Sequence, residues 1–378
     1  MFMDVSSEMI HALLPVYLVT VLGTSALTVG IIEGIAEATA AITKVFSGVL
    51  SDRIGKRKVI VAAGYGLAAF TKPVFPLATT VDWLVAARFI DRFGKGIRGA
   101  PRDALVADLS PPHLRGASYG LRQSLDTVGA FVGPLLAIAL MWLTADDFRL
   151  VFWFAVLPAF VAFALILFAV HDPDGRDGRP PAGTPIAMAL VGRLGSAYWW
   201  VVVVATFFTL ARFSEAFLIL RAQSIGLSLM MVPAVMVVMN VAYALSAYPA
   251  GALSDRVSRI SLLMIGLLLL LAADVMLAFA TSLVALFGGV VLWGLHMGLS
   301  QGLLSALVAD RAPAELRGTA FGMFNMVTGA ALLAASIVAG ALWDVAGPAG
   351  TFLAGATFAL VSLVGLLAMA ILPRRAGH

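Results

Sequence analysis

Apolar runs of about 20 residues, each long enough to cross roughly 30 Å of hydrocarbon as an α-helix, follow one another along the whole chain with short polar breaks between them. They predict helices at 1–21, 27–50, 59–78, 83–109, from 118, and at 150–170, 199–222, 230–252, 261–280, 284–308, 318–343 and 350–372, about twelve in all. The period-2 pattern of membrane barrel strands does not occur. Polar residues inside these runs are confined to faces. Asp4 and Glu8 lie one turn apart, and Glu33, Glu37 and Lys44 share one side of the second helix. The fourth helix carries Arg88, Asp91, Arg92, Lys95, Arg98, Arg102 and Asp103, which at about 100° per residue occupy an arc of roughly 140°. A charge at mid-membrane costs about 2.5 to 3.5 kcal/mol, so this face must turn to protein or to a water-filled cavity. Gly94, Gly96 and Gly99 allow close helix approach, and Pro101, which offers Ile97 no donor, predicts a helix that is bent or locally open.

Composition agrees with the pattern. The chain is 61% hydrophobic and 12% charged, where soluble domains carry about 25% charged residues, so it is read as an integral membrane protein. Its start, MFMDVSSEM, lacks the basic region of a removable signal peptide, and the first helix is expected to be retained. Cysteine is absent, which excludes disulfides and thiolate chemistry. The formal charge of +4 comes mainly from alternate short loops, a topology signal and not a nucleic-acid surface. It predicts both termini in the cytoplasm of a cell whose inner membrane holds the chain. Residues 171–185 are rich in Pro, Gly and charge and read as a linker, dividing the chain into 1–170, a linker at 171–196, and 197–378.

The two halves repeat. LSDRIGKR at 50–57 answers LSDRVSR at 253–259, and ADLSPPHLRGASYG at 107–120 answers ADRAPAELRGTAFG at 309–322. Gly23 and Gly226 keep the same spacing of about 203 residues. A parallel repeat of six helices plus six is an organisation of secondary transporters. Ser7-Glu8 aligns with Ser214-Glu215, which has more helix ahead of it, so the chain is expected to begin inside its first helix. The repeat sets Trp293, Met297, Ser300 and Leu304 opposite Asp91, Lys95, Arg98 and Arg102, placing the ionic face in the first half only.

On these motifs the sequence resembles the major facilitator superfamily. The signature between its helices two and three stands here as Gly48, Leu50, Asp52, Arg53, Gly55, Arg57 and Lys58, with Gly251, Leu253, Asp255 and Arg256 as a degenerate second copy. The helix-four arginine pattern is matched only at Arg88, because Asp91 and Arg92 replace its glutamine and glycine. The antiporter-associated pattern of helix five reads Gly129, Gly133 and Pro134, with Ala137 at its later glycine. The resemblance implies an all-α membrane protein of two six-helix bundles related by pseudo-twofold symmetry. It implies a transporter working by alternating access, not an enzyme, with Asp52 and Arg53 in gating or helix docking. The helix-five pattern tilts the expectation to proton antiport exporting a drug or metabolite. The proton gradient is then the energy source and no cofactor is needed. The expected partners are a small-molecule substrate and the bilayer, without nucleic acid, and the chain is expected to be a monomer.

Within that frame the candidate proton carriers are Glu8, Glu33, Glu37 and Asp126, with Arg88 and Arg98 as counter-charges and Asp91, Lys95 and Arg102 as further counter-charge or substrate-binding candidates. The competing reading is a purely structural ion-pair network. The arginines of helix four also suit an anionic substrate such as a metal chelate or siderophore, and import by symport is the third alternative. Arg212 and Glu215 are expected to pair, His296 is read as a lone intramembrane histidine in a packing role, and Asp274 stands isolated. Scattered methionines make no metal site. No G-x-S-x-G, H-E-x-x-H or P-loop pattern is found.

Overall fold

The computed structural model describes residues 1–54, 56–111, 114–171, 191–254, 257–300, 303–313 and 316–371. Ten helical stretches among them are long and apolar enough to span a membrane. One of these, Thr319–Ile371, contains two spans, because Gly347 takes a positive φ of 70° ahead of Pro348. Val81–Leu109, the helix carrying the ionic face, is 29 residues long and also suffices to span. The expected twelve spans are therefore present among the described residues, and we number them accordingly.

The first half comprises α1 (Phe2–His11 and Leu14–Thr20), α2 (Ala26–Ile54), α3 (Arg57–Thr71 and Val74–Leu77), α4 (Val81–Leu109), α5 (Arg115–Leu143) and α6 (Phe148–Ala169). The second comprises α7 (Ser196–Ala211 and Ala216–Ser224), α8 (Ala234–Ser254, led by a 3₁₀ turn at Leu229–Met231), α9 (Arg259–Ala278) and α10 (Leu283–Ser300 and Leu303–Arg311). It ends with α11 and α12, which flank Gly347 within Arg317–Ile371. Large apolar side chains such as Phe70, Trp142, Leu157 and Phe168 face outward, as a lipid-facing surface requires. α4 continues as helix through Pro101. Residues 172–190, most of the expected linker, lie outside the described residues.

The sequence repeat is visible in backbone and side chains alike. Gly23 and Gly226 both adopt positive φ, 66° and 96°, with nothing near the place of a Cβ, so each serves its turn by conformation and not by packing. Arg57 lies 2.5 Å from Asp108 and Arg259 lies 2.5 Å from Asp310, joining α3 to α4 and α9 to α10 at equivalent places.

The halves meet most tightly at the end carrying the α1–α2 and α11–α12 turns. A Cβ on Gly30 of α2 would collide with the Ser336 carbonyl of α11. One turn from that end Asp344 accepts hydrogen bonds of 3.0 Å from the backbone N–H groups of both Ala26 and Leu27, capping α2 from the opposite half. Toward the other end, where the α2–α3 and α4–α5 loops lie, the halves diverge around a cavity.

Candidate functional site: a charged cavity between the halves

Backbone proximity sets the geometry of the first half. A Cβ on Gly133 of α5 would stand 2.8 Å from Glu8 Cβ and 2.8 Å from the Val5 carbonyl, and Gly129 meets Asp4 in the same way. The helix-five glycines thus let α5 lie against α1, while Pro134 is accommodated inside α5. Gly48 similarly brings α2 against Ala100 of α4. Gly55, Asp255 and Arg256 lie outside the described residues, as do the side chains of Asp52 and Arg53.

The acids and bases of α4 then fall into distinct environments. Arg88 Nη2 donates to Glu33 Oε2 at 2.8 Å with both side chains 1% exposed, a sealed pair between α4 and α2. Asp91 turns away from α2 to Lys72, at the break in α3, with Nζ to Oδ1 2.9 Å; Lys72 also donates to Ser7 Oγ of α1 at 3.1 Å. Arg92 lies 3.4 Å from Glu37. That pair is lopsided, since Arg92 is 2% exposed and Glu37 30%. Farther along, Arg102 and Arg122 share Asp103 and Asp126 across distances of 3.0 to 3.5 Å, joining α4 to α5.

His11 completes the sealed end and was not singled out by sequence, so His296 is not the lone intramembrane histidine. Its Nδ1 lies 3.4 Å from Arg88 Nη2 and 3.3 Å from Arg92 Nη2. Guanidinium nitrogens only donate, so Nδ1 must accept and the neutral ring carries its proton on Nε2. The available signal was spacing: His11 follows Glu8 by three residues on the ionic face of α1. His296 itself is fully buried, with Nδ1 2.9 Å from the Gly266 carbonyl and its ring against Phe208, and this fits the packing role expected for it.

A cavity of about 540 Å³ lies between the halves. Glu8, Glu37, Arg92, Lys95, Arg98, Arg102 and Asp126 line one wall; Arg212, Glu215, Asn240 and Tyr243 line the other. Lys44, Lys95 and Gln123 are exposed along it, placing its mouth at the end with the α2–α3 and α4–α5 loops. Among the described residues, Lys95, Glu8 and Arg98 form no ion pair within 4.0 Å. The Arg98 guanidinium instead stands 4.8 Å over the Tyr65 ring, with the buried Nη1 lacking a hydrogen-bond partner. Arg212 and Glu215 do not pair either. α7 breaks between Ala211 and Ala216, which removes the helical phase that would have stacked them. Glu33, Arg88 and Asp91 belong to the protein interior behind the cavity wall.

Two helix bundles enclosing a charged cavity, closed at one end and accessible at the other, are the architecture of a secondary transporter. The model of the Major Facilitator Superfamily matches residues 1–240 and 202–378. The chain belongs to that superfamily and is a transporter, not an enzyme. It is 32% identical to an uncharacterised MFS-type transporter of Methanocaldococcus jannaschii over 97% of this chain and 92% of the relative. It is 27% identical to the multidrug resistance protein MdtH of Edwardsiella ictaluri over 96% of this chain and 89% of that one. Among solved structures, a mutant of the nucleoside transporter NupG superposes with a TM-score of 0.80 at 15% identity, covering 97% of both chains. A POT family transporter superposes with a TM-score of 0.80 at 12% identity, over 98% of this chain and 93% of that one.

Proposed function

We propose that the protein is a proton-coupled antiporter of the inner (cytoplasmic) membrane that exports a small molecule, with both termini and the cavity mouth on the cytoplasmic side. The basic loops surround that mouth, as the positive-inside rule requires of the cytoplasmic end. The halves at 1–170 and 197–378 rock against each other as units, the linker at 171–196 joining them, with the proton gradient as the energy source. The multidrug resistance relative supports export. The observation that carries the coupling is the Glu37–Arg92 pair, whose base is sealed while its acid is wetted by the cavity. A proton arriving from the cavity neutralises Glu37 and releases Arg92, so proton and substrate can exclude each other at one wall. Asp126, 22% exposed, offers a second such acid; the sealed Glu33 braces the bundle.

The test is flux of ethidium in proteoliposomes under an imposed pH gradient. Export reading predicts gradient-driven movement that E37Q abolishes while the purified protein remains monodisperse; unchanged coupling in E37Q and D126N together would remove these acids from the mechanism. A second reading is favoured by one observation: Lys95, Arg98 and Arg212 line the cavity and none forms an ion pair within 4.0 Å among the described residues, which suits an anionic metabolite or chelate. Thermal stabilisation by citrate that K95Q removes would select it, and accumulation in step with inward protons would make it symport.

A further inference from the structure

Asp274 of α9 is the only acid in the apolar interior of the second half among the described residues that lies away from the cavity. It is 0% exposed, and neither carboxyl oxygen has a hydrogen-bond partner. Its walls are packed. A Cβ on Gly355 of α12 would stand 2.8 Å from Asp274 Oδ2 and 2.9 Å from Phe213 Cε1, so the absent side chain at Gly355 makes the space the carboxyl occupies. Phe213 lies in the break of α7, and its ring contacts those of Trp293, Phe217 and Phe352. That aromatic group separates Asp274 from the cavity that Phe213 also lines.

The charged and titratable groups on the elements around Asp274 do not reach it. α7 contributes Arg212 and Glu215 at the cavity and Arg221, whose guanidinium is spent on the carbonyls of Leu277, Ala278 and Ala280. α10 contributes His296, bound to Gly266, and at its loop end Asp310, bound to Arg259 of α9, and Arg311 in its last turn. α11 contributes Asp344, which caps α2 at its far end, and opens with Arg317, whose side chain lies outside the described residues; the described part of α12 carries no charge. An ionised carboxylate without a counter-ion or hydrogen bonds is not sustained in such surroundings. The group must be a neutral carboxylic acid here.

The repeat shows what this site replaces. Asp274 and Trp293 stand at the repeat positions of Lys72 and Asp91, the buried ion pair of the first half. Where the first half fixes two permanent charges on each other, the second half has an acid and an indole N–H. Trp293 Nε1 is likewise buried with no acceptor. An acid on α9 with an idle donor on the adjacent α10 can give up its proton and hold the resulting charge once the packing loosens and the two meet; a lysine–aspartate pair cannot lose a proton without leaving a naked charge.

We propose that Asp274 is a proton-binding site of the transport cycle, loaded in this conformation and discharged when the second half repacks and admits water past Phe213. Discharge transfers the proton from the carboxyl to water, and the carboxylate then accepts the Trp293 Nε1 hydrogen bond. This rests on the proton-coupled reading above and moves a coupling site into the half that lacks the ionic network.

Infrared spectra and ethidium flux test it together. The wild-type protein should show the C=O stretch of a protonated, unhydrated carboxyl that [4-¹³C]aspartate labelling shifts, and D274N, an isostere of the neutral acid, should lose it. D274N should also stop gradient-driven ethidium accumulation, falling to the level of empty vesicles, while ethidium exchange across the membrane without a gradient persists. Absence of the labelled band in wild type overturns the proposal without relying on the variant's folding. A band lost in D274N with coupled flux intact overturns it too, leaving the acid purely structural. Wild-type flux indifferent to the pH gradient overturns the proton-coupled reading itself, and the transport role of Asp274 with it, whatever the spectra show.

Discussion

The contact between α3 and α4 and its counterpart between α9 and α10 descend from one repeated unit and have been filled in opposite ways. In the first half Lys72 and Asp91 neutralise each other at 2.9 Å beside the equally sealed Arg88–Glu33 pair. In the second half the same places hold Asp274 and Trp293, walled by aromatic rings, and no charge is balanced there. Yet the peripheral pairs Arg57–Asp108 and Arg259–Asp310 are retained in both. The difference teaches that the α9–α10 contact forms without a central ion pair, while both halves carry one at the loop end. The charged centre is confined to one half.

Exchanging the two contacts would have the largest effect. D274K alone buries an unpartnered ammonium and should cost about 3 to 5 kcal/mol, the penalty for an uncompensated buried charge. Folded yield in detergent should collapse. D274K combined with W293D rebuilds the Lys72–Asp91 pair in the second half and should recover most of that loss in thermal unfolding. Failure of the double variant to recover would break the structural equivalence of the two sites.

Next in size is the asymmetry within the Glu33–Arg88 pair. R88L leaves a buried carboxylate that can take up a proton, whereas E33Q leaves a buried guanidinium that cannot lose its charge, so E33Q should cost several kcal/mol and R88L less. Because Glu33 is sealed while Glu37 is wet, E33Q should nonetheless leave pH-driven flux largely intact. Abolished coupling in a well-folded E33Q protein would move the proton path behind the cavity wall.

D344A removes the cap that the second half places on α2 and should cost about 1 kcal/mol, with the energy lost only in the conformation zipped at that end. Accessibility of a cysteine introduced beside Ala26 should rise in consequence. An unchanged labelling rate would show that the Gly30–Ser336 packing closes that end unaided. The smallest difference concerns the retained pairs. R57A, from a pair about 10% exposed, should lower thermal stability more than R259A, from a pair 42% and 50% exposed, where about 0 to 1 kcal/mol is expected.

Much of the architecture could be read from residue pattern alone. Hydrophobic length marks a membrane span independently of its neighbours, so the twelve spans followed from composition within short windows. The repeat followed because Gly23 and Gly226 meet the same backbone demand and because the loop-end arginines keep their spacing. That the face of α4 is ionic was equally legible, as charge cannot face lipid.

Pairing was not legible, because it depends on which helices touch. Sequence could not send Asp91 to Lys72 and Arg88 to Glu33, nor tell that Arg98 would find Tyr65. Neighbouring residues misled where the helix broke, as between Arg212 and Glu215. Isolation was the least legible property of all: Asp274 is one polar letter in an apolar run, and only the packing of α7, α10 and α12 around it leaves its carboxyl without partners. The chain by itself determined how many helices cross the membrane and which faces carry charge, since those are local balances of solvation. Tertiary structure decided which charges are sealed, which are wetted by the cavity and which are absent where symmetry would put them, because Coulomb interaction and burial act between helices far apart in sequence.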